Sequence, residues 1–370
     1  MRIAIPTEVK DNEFRVAITP VGVAELVGHG HEVLVQAGAG VGSSISDEEY
    51  AAQGATIVDS CDEVWERAEL VLKVKEPIAE EYRHLREDLT LFTYLHLAAD
   101  RPLTDALQAA GTTAIAYETV QLPDRSLPLL VPMSEVAGCL APQMGAYHLT
   151  RAAQGRGVLM GHVTGVTPAK VVVLGCGTAG TKAALAAAGL GAEVTVLDTD
   201  LAKLRHVSNF MNVQTLASSR LTVREQVLQA DLVIGTVLLP GSRTPRLVTH
   251  EMVTQMKPGS VLVDVAIDQG GCFEDSRPTT HHDPVYEVEQ SLFYCVGNMP
   301  GAVPNTSTWA LTNSTLPYVV RIANQGWRQA MQADPALAKG LNVQGGRIVY
   351  PGVAEAFGVE HTPVAEVLAD

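Results

Sequence analysis

A chain of 370 residues, 46% hydrophobic and 18% charged, is longer than one ordinary domain and contains no polar tract of the disordered kind. Its net charge of −15 argues against nucleic acid as a general partner, and its apolar runs are too interrupted to span a membrane. The N-terminal MRIAIPTEVK lacks the apolar core of a secretory signal, and five scattered cysteines without a C-x-x-C pair read as reduced thiols in a cytoplasmic protein with no metal-ligand spacing.

Taken in chain order, RIAIP (2–6), EVLVQ (32–36), TIVD (56–59), LVLKV (70–74), LTLFTYL (89–95) and TTAIAY (112–117) read as strands. Helical stretches near 20–29, 47–53, 62–68, 78–86 and 100–110 separate them. Such alternation favours a mostly parallel sheet covered on both faces. A helix is expected over 134–153, with Pro142 a kink in its interior. From 170 the alternation restarts: KVVVLG, a helix through TKAALAAAGL, EVTVLD, a helix through LAKLRHVSNF, then QTL. A helix at 222–230, the strand DLVIGTV, a helix near 248–256 and the strand SVLVDVA follow. The last segment reads as helix over 306–332 and a short tail. The fold class is α/β, with two Rossmann-like domains, one inserted into the other.

The centre of the chain carries VVVLGCGTAG, in which Gly175, Gly177 and Gly180 give G-x-G-x-x-G directly after an apolar strand. That spacing alone is weak, but an Ala-rich helix follows, and Asp198 closes the next strand. Gly175 suits the tight turn, Gly177 the approach of a pyrophosphate, and Gly180 the packing of helix on strand. The free N–H groups of the helix start favour phosphate. Asp198 is placed to accept the ribose hydroxyls and to repel a 2′-phosphate, so NAD is expected over NADP. A bare glycine turn that binds nothing is the competing reading.

Four further residues stand where chemistry is expected: Arg15 in NEFRVAITP, Lys75 in VLKVKEPI, His96 ending LTLFTYLHL, and Asp268 in VDVAIDQGG. Each has a bland alternative. Arg15 reads equally as a solvated loop charge, Lys75 as a partner of Glu76, His96 as a hydrogen-bonded core histidine, and Asp268 as a turn cap before Gly270 and Gly271. As a set they offer two cations for a carboxylate and a carbonyl, one imidazole and one carboxylate.

IPTEVKDNEFRVAITPVGVAELVGHGHEV and VLGCGTAGTKAALAAAGLGAEVTVLD resemble the two signatures of the alanine dehydrogenase and transhydrogenase family. VKVKEP, FTYLHLA, VDVAIDQGGCFEDSRPTTH and FYCVGNMPGAVPNTST extend the resemblance over essentially the whole chain. It implies reversible oxidative deamination of L-alanine to pyruvate and ammonia with NAD. By resemblance, Arg15 and Lys75 hold the substrate, His96 is the general acid/base, and Asp268 assists at the amino carbon. The implied cofactor positions are Ser134, Gly175, Gly177, Thr178, Ala179, Gly180, Asp198, Lys203, Ser218, Val237 and Leu238. Val265, Ala266, Ile267, Asp268, Arg277, Val296, Gly297, Asn298 and Met299 complete them. Residues 1–133 with 305–370 are expected as a discontinuous substrate domain and 134–304 as the NAD-binding domain, with the active site in the cleft between them and a homohexamer as the assembly. The absence of a membrane span and the presence of the four-residue set disfavour a membrane transhydrogenase component, the same set disfavours a non-catalytic NAD sensor, and a saccharopine-type dehydrogenase is a weaker rival. Gly297 stands where the resemblance leads one to expect Ala.

Overall fold

The computed structural model describes residues 1–237 and 245–369. It divides into two compact units, Met1–Met133 with Val303–Asp370, and Ser134–Ala302. Among the described residues, no helix is long and apolar enough to cross a membrane.

The first unit holds an eight-stranded sheet. In chain order its strands are β1 (Arg2–Ile5), β2 (Glu32–Gln36), β3 (Thr56–Val58), β4 (Leu70–Leu72), β5 (Thr90–Thr93) and β6 (Thr113–Ala116). The second unit contributes β7 (Lys170–Leu174), β8 (Glu193–Asp198), β9 (Gln214–Ala217), β10 (Leu232–Gly235), β11 (Val261–Asp264), β12 (Val285–Val288) and β13 (Ser291–Tyr294). The chain then returns to the first sheet with β14 (Leu341–Gln344) and β15 (Arg347–Ile348).

In the first sheet the spatial order is β15-β14-β6-β5-β4-β1-β2-β3, parallel except where β14 and β15 close one edge. In the second it is β12-β13-β11-β10-β7-β8-β9, parallel except at the β12–β13 hairpin. Both strand orders reverse beside their first strand, between β4 and β1 and between β10 and β7. Ligands of open α/β sheets bind at such points, beyond the carboxyl ends of the strands. Strands covered on both faces need continuous apolar runs, and Ile3, Ala4 and Ile5 of β1 and Val173 and Leu174 of β7 are fully buried. Each fully buried Leu, Ile or Val side chain contributes up to about 1.5–3 kcal/mol.

Several elements differ from the expected ones. The helix expected near 78–86 is only a 3₁₀ turn, Tyr82–His84. Pro77 precedes it, and Glu81 turns its carboxylate back to accept the Ile78 N–H at 3.0 Å, so the segment closes on itself. The helix expected over 134–153 is Val131–His148 and runs through Pro142. That proline removes one hydrogen bond, to the carbonyl of Gly138, and the helix tolerates the loss. The helix expected over 306–332 is two, Pro304–Gln325 and Trp327–Ala333, broken at Gly326 with φ 76 and ψ 153. The short tail contains the β14–β15 hairpin and, among the described residues, three further helices, Pro335–Ala338, Pro351–Phe357 and Val364–Ala369.

Candidate active site

In the first unit, the residues that follow β1 and β4 meet at the strand-order reversal. Lys73 is wholly buried, and its ammonium lies 3.1 Å from Glu8 and 2.9 Å from Glu81. Burial works against that charge, but the two carboxylates outweigh it and hold the lysine above its ordinary range. Glu8 in turn accepts the Val74 N–H at 2.6 Å and the Lys75 N–H at 3.4 Å. The Lys75 carbonyl accepts the Thr93 hydroxyl at 3.0 Å. The partly buried Lys75 is therefore fixed through its backbone, with a buried ion triad beneath it.

Arg15 is 2% exposed, and Glu13 grips it through two contacts, 2.6 Å from Nε to Oε1 and 2.5 Å from Nη2 to Oε2. Desolvation opposes the guanidinium charge, yet the Glu13 carboxylate raises the arginine above its already high range. Nη1 lies 3.0 Å from the sulfur of Met133, and the Tyr94 phenol is near enough to interact electrostatically. Arg15 lines a pocket of about 260 Å³ with Thr7, Glu8, Lys10, Glu13 and Gly38, at the ends of β1 and β2; Lys75 and His96 lie outside it. Lys10, on its rim, pairs with the buried Glu76.

His96 does not end a strand. β5 stops at Thr93, and His96 adopts the left-handed region three residues later, with φ 49 and ψ 35. Its N–H donates to Glu118 Oε1 at 2.7 Å, and the neighbouring Leu95 N–H reaches the same carboxylate at 3.2 and 3.3 Å. The imidazole is half-buried and lies parallel to the Tyr94 ring, 5.9 Å between centroids and 8° between planes. The Tyr94 hydroxyl donates to the Leu129 carbonyl at 2.6 Å.

In the second unit, the glycine turn joins β7 to the helix Thr178–Gly189. Gly175 has φ +101, and a Cβ there would meet Thr236 Oγ1 at 2.9 Å and Val237 at 3.0 Å. A Cβ on Gly180 would fall within the van der Waals shell of the Gly175 carbonyl oxygen. Gly177 differs: among the described residues nothing lies within 4 Å of its added Cβ. Thr178 and Ala179 open the helix behind it. The Val131–His148 helix packs tightly here, since a Cβ on Gly138 would strike the Ala179 carbonyl. Ser134, one turn earlier, shares that face.

Asp198, at the end of β8, accepts the Cys176 N–H at 2.6 Å through Oδ2 and the Asp200 N–H at 2.8 Å through Oδ1. It braces the glycine turn, and each of its oxygens retains a lone pair for a further donor. Ser218 donates its N–H to the Asp198 carbonyl at 2.9 Å, and Lys203 is exposed on the helix Leu201–Phe210. An open helix start, a close-packed turn and a carboxylate at the second strand suit a dinucleotide. Leu238 lies outside the described residues.

The remaining positions sit on two neighbouring loops. Asp264, fully buried, accepts the Ala266 and Cys272 N–H groups at 3.1 and 2.8 Å and the Ser276 hydroxyl at 2.5 Å. Burial pushes its carboxyl above the ordinary range despite these bonds. It thereby shapes the loop that carries Val265, Ala266, Ile267 and the exposed Asp268. On the second loop, Val296 bridges Thr279, Asn298 has φ 60, and Met299 is buried. A Cβ at Gly297 would meet Asp268 Oδ1 at 3.0 Å. Arg277 stacks its guanidinium 4.0 Å over the Tyr286 ring.

Sequence reasoning had not singled out Glu13, Tyr94, Glu118, Met133 or Asp264. Glu13 stands two residues before Arg15, but nothing in that spacing announces a two-point contact.

The chain is similar to known proteins both in sequence and in fold. The models for the N-terminal and C-terminal domains of "Alanine dehydrogenase/PNT" match residues 4–137 and 141–351. A protein named alanine dehydrogenase from Mycolicibacterium smegmatis is 60% identical over 371 residues, covering 100% of both chains. A solved structure titled L-alanine dehydrogenase superposes with a TM-score of 0.94 at 52% identity, over 97% of this chain and 99% of that one. A transhydrogenase structure from Sinorhizobium meliloti aligns with a TM-score of 0.81 at 29% identity, over 95% and 99% of the two chains.

Proposed function

The chain belongs to the alanine dehydrogenase/PNT family, and from that premise we propose that it catalyses the NAD-dependent oxidative deamination of L-alanine to pyruvate and ammonia, and the reverse. The observation that carries this reading within the family is the 60% identity to an alanine dehydrogenase over the full length, against 29% to the transhydrogenase. Buried Arg15, backbone-fixed Lys75 and His96 on one unit add the chemistry it requires.

Arg15 is assigned the substrate carboxylate: Glu13 takes the Nε–Nη2 edge of its planar guanidinium, and the other edge suits a two-pronged contact that lysine cannot reproduce. Lys75 sets a positive charge beside the substrate oxygen, where negative charge grows as ammonia adds to pyruvate. His96 donates and accepts the protons that addition of ammonia and loss of water require near neutral pH. Asp268 is assigned the carboxylate that assists at the amino carbon. NAD, when bound, supplies the hydride acceptor. Gly175, Gly177, Gly180, Thr178 and Ala179 would hold its pyrophosphate and Asp198 its ribose. The other positions named above, from Ser134 to Met299, would complete the contacts. The substrate role falls to residues 1–133 with 305–370 and the cofactor role to 134–304. A cytoplasmic homohexamer is the assembly the resemblance supports.

Initial rates with each amino acid and with NAD or NADP, followed at the reduced-nicotinamide absorbance band, test the reading. L-Alanine with NAD should give the highest rate. Hydride transfer to NADP-type acceptors without any alanine-dependent rate would overturn it.

A further inference from the structure

His96 occupies a backbone conformation that a bulky L-residue seldom adopts, so something outside it must hold it there. We propose that Glu118 is the positioning residue of His96, its carboxylate holding the left-handed turn that carries the imidazole.

β5 and β6 are parallel neighbours whose last registered pair is Thr93 and Ala116. Beyond that pair the ladder stops, and the N–H groups of Leu95 and His96 have no strand to meet. Glu118, two residues past Ala116, turns its side chain to them instead. Its Oε1 takes the His96 N–H at 2.7 Å and the Leu95 N–H at 3.2 Å, and its Oε2 lies 3.3 Å from the Leu95 nitrogen. A side chain thus replaces the missing strand edge and lets β5 end in a left-handed residue.

The same distances say what Glu118 does not do. Nδ1 of His96 lies 4.0 Å from Glu118 Oε1, beyond hydrogen-bond reach. Glu118 therefore acts on the backbone of His96 and takes no proton from its ring. The ring plane is set from the other side by Tyr94, itself anchored through its hydroxyl to Leu129. Loss of Glu118 frees the turn while leaving Arg15, Lys75 and the dinucleotide loop untouched. The effect should fall on turnover.

The inference rests on His96 moving the reaction's protons, so the full-length enzyme is compared as Glu118→Gln, Glu118→Ala and His96→Ala. Gln keeps one acceptor oxygen at the Oε1 position, so kcat should stay within about threefold of the parent. Ala removes the acceptor and should lower kcat by about ten- to a hundredfold, since misplacement of a catalytic group by about 1 Å costs that much. KM for pyruvate and the Kd for NADH should stay within about twofold, which general loosening of the fold would not spare. Should Glu118→Ala not fold, Glu118→Asp carries the same test, its carboxylate one methylene short of the His96 N–H. Unchanged kcat without the acceptor, or equal damage from Gln and Ala, overturns the positioning role. Normal turnover in His96→Ala overturns instead the assignment of His96.

Discussion

Glu13 places one carboxylate oxygen on Nε of Arg15 and the other on Nη2, with both side chains almost wholly removed from water. The two partners can be tested separately. Glu13→Gln leaves a buried guanidinium without its counter-charge and should cost about 3–5 kcal/mol, read as a fall in Tm. Arg15→Lys keeps the charge but loses the fork, so KM for pyruvate should rise about tenfold or more while kcat changes less. An unaltered KM in that variant would remove Arg15 from the substrate.

The glycine turn separates folding from binding. Gly180→Ala drives a methyl into the Gly175 carbonyl and should lower Tm whether or not nucleotide is present. Gly177→Ala has nothing to strike among the described residues, and its φ of −80 suits any residue, so Tm of the free protein should hold. Its methyl would instead occupy the space proposed for the pyrophosphate, and NADH affinity should fall by about tenfold or more. A Gly177→Ala protein that binds NADH normally would place the nucleotide elsewhere.

Asp198 has a double duty. Its charge should make NAD preferred to NADP by at least about tenfold in kcat/KM, about 1.4 kcal/mol. Asp198→Ala should narrow that ratio and also weaken NAD, because the Cys176 N–H loses its acceptor. Equal use of the two cofactors by the parent enzyme would end this reading.

Glu76 links acid stability to the site. Burial disfavours its charge, but Lys75 and Lys10 outweigh that and hold the carboxyl below its ordinary value of 4.5. A depressed folded-state value means stability present above pH 4.5 and lost as pH falls through the lower, folded-state value. Tm should therefore drop on acidification below about pH 4.5, and less steeply in Glu76→Gln. Parallel Tm curves for the two proteins would show that Glu76 contributes nothing to the acid limb.

The two antiparallel hairpins show where sequence reading stops. β14 and β15 are joined by Gly345 and Gly346, both at positive φ, which is a readable two-residue turn between short apolar runs. It went unread because the strands are only four and two residues long and follow a helical stretch. β12 and β13 turn instead at Glu289, with φ 55, where no glycine or asparagine marks the bend. The strand–glycine–helix–strand unit ending at Asp198 was legible because its chemistry lies within one local stretch. Lys75 and His96 stand out in the sequence as polar residues closing apolar runs, although β4 ends at Leu72 and β5 at Thr93, three residues before each. Glu118 was not, because its acceptor role exists only once β5 and β6 lie side by side.

β14 covers the outer edge of β6, although the whole of Ser134–Ala302 separates the two strands in the chain. On a ribosome adding about 5–20 residues per second, that edge emerges first and waits for its cover until the whole inserted unit and then Leu341–Gln344 have been made. The inserted unit, being contiguous, has every strand of its sheet in hand long before. The nascent protein therefore carries an open row of N–H and C=O groups along Thr113–Ala116 while the inserted unit is being made, the surface on which neighbouring chains on a polysome would pair. A message truncated before Leu341 leaves it open for good.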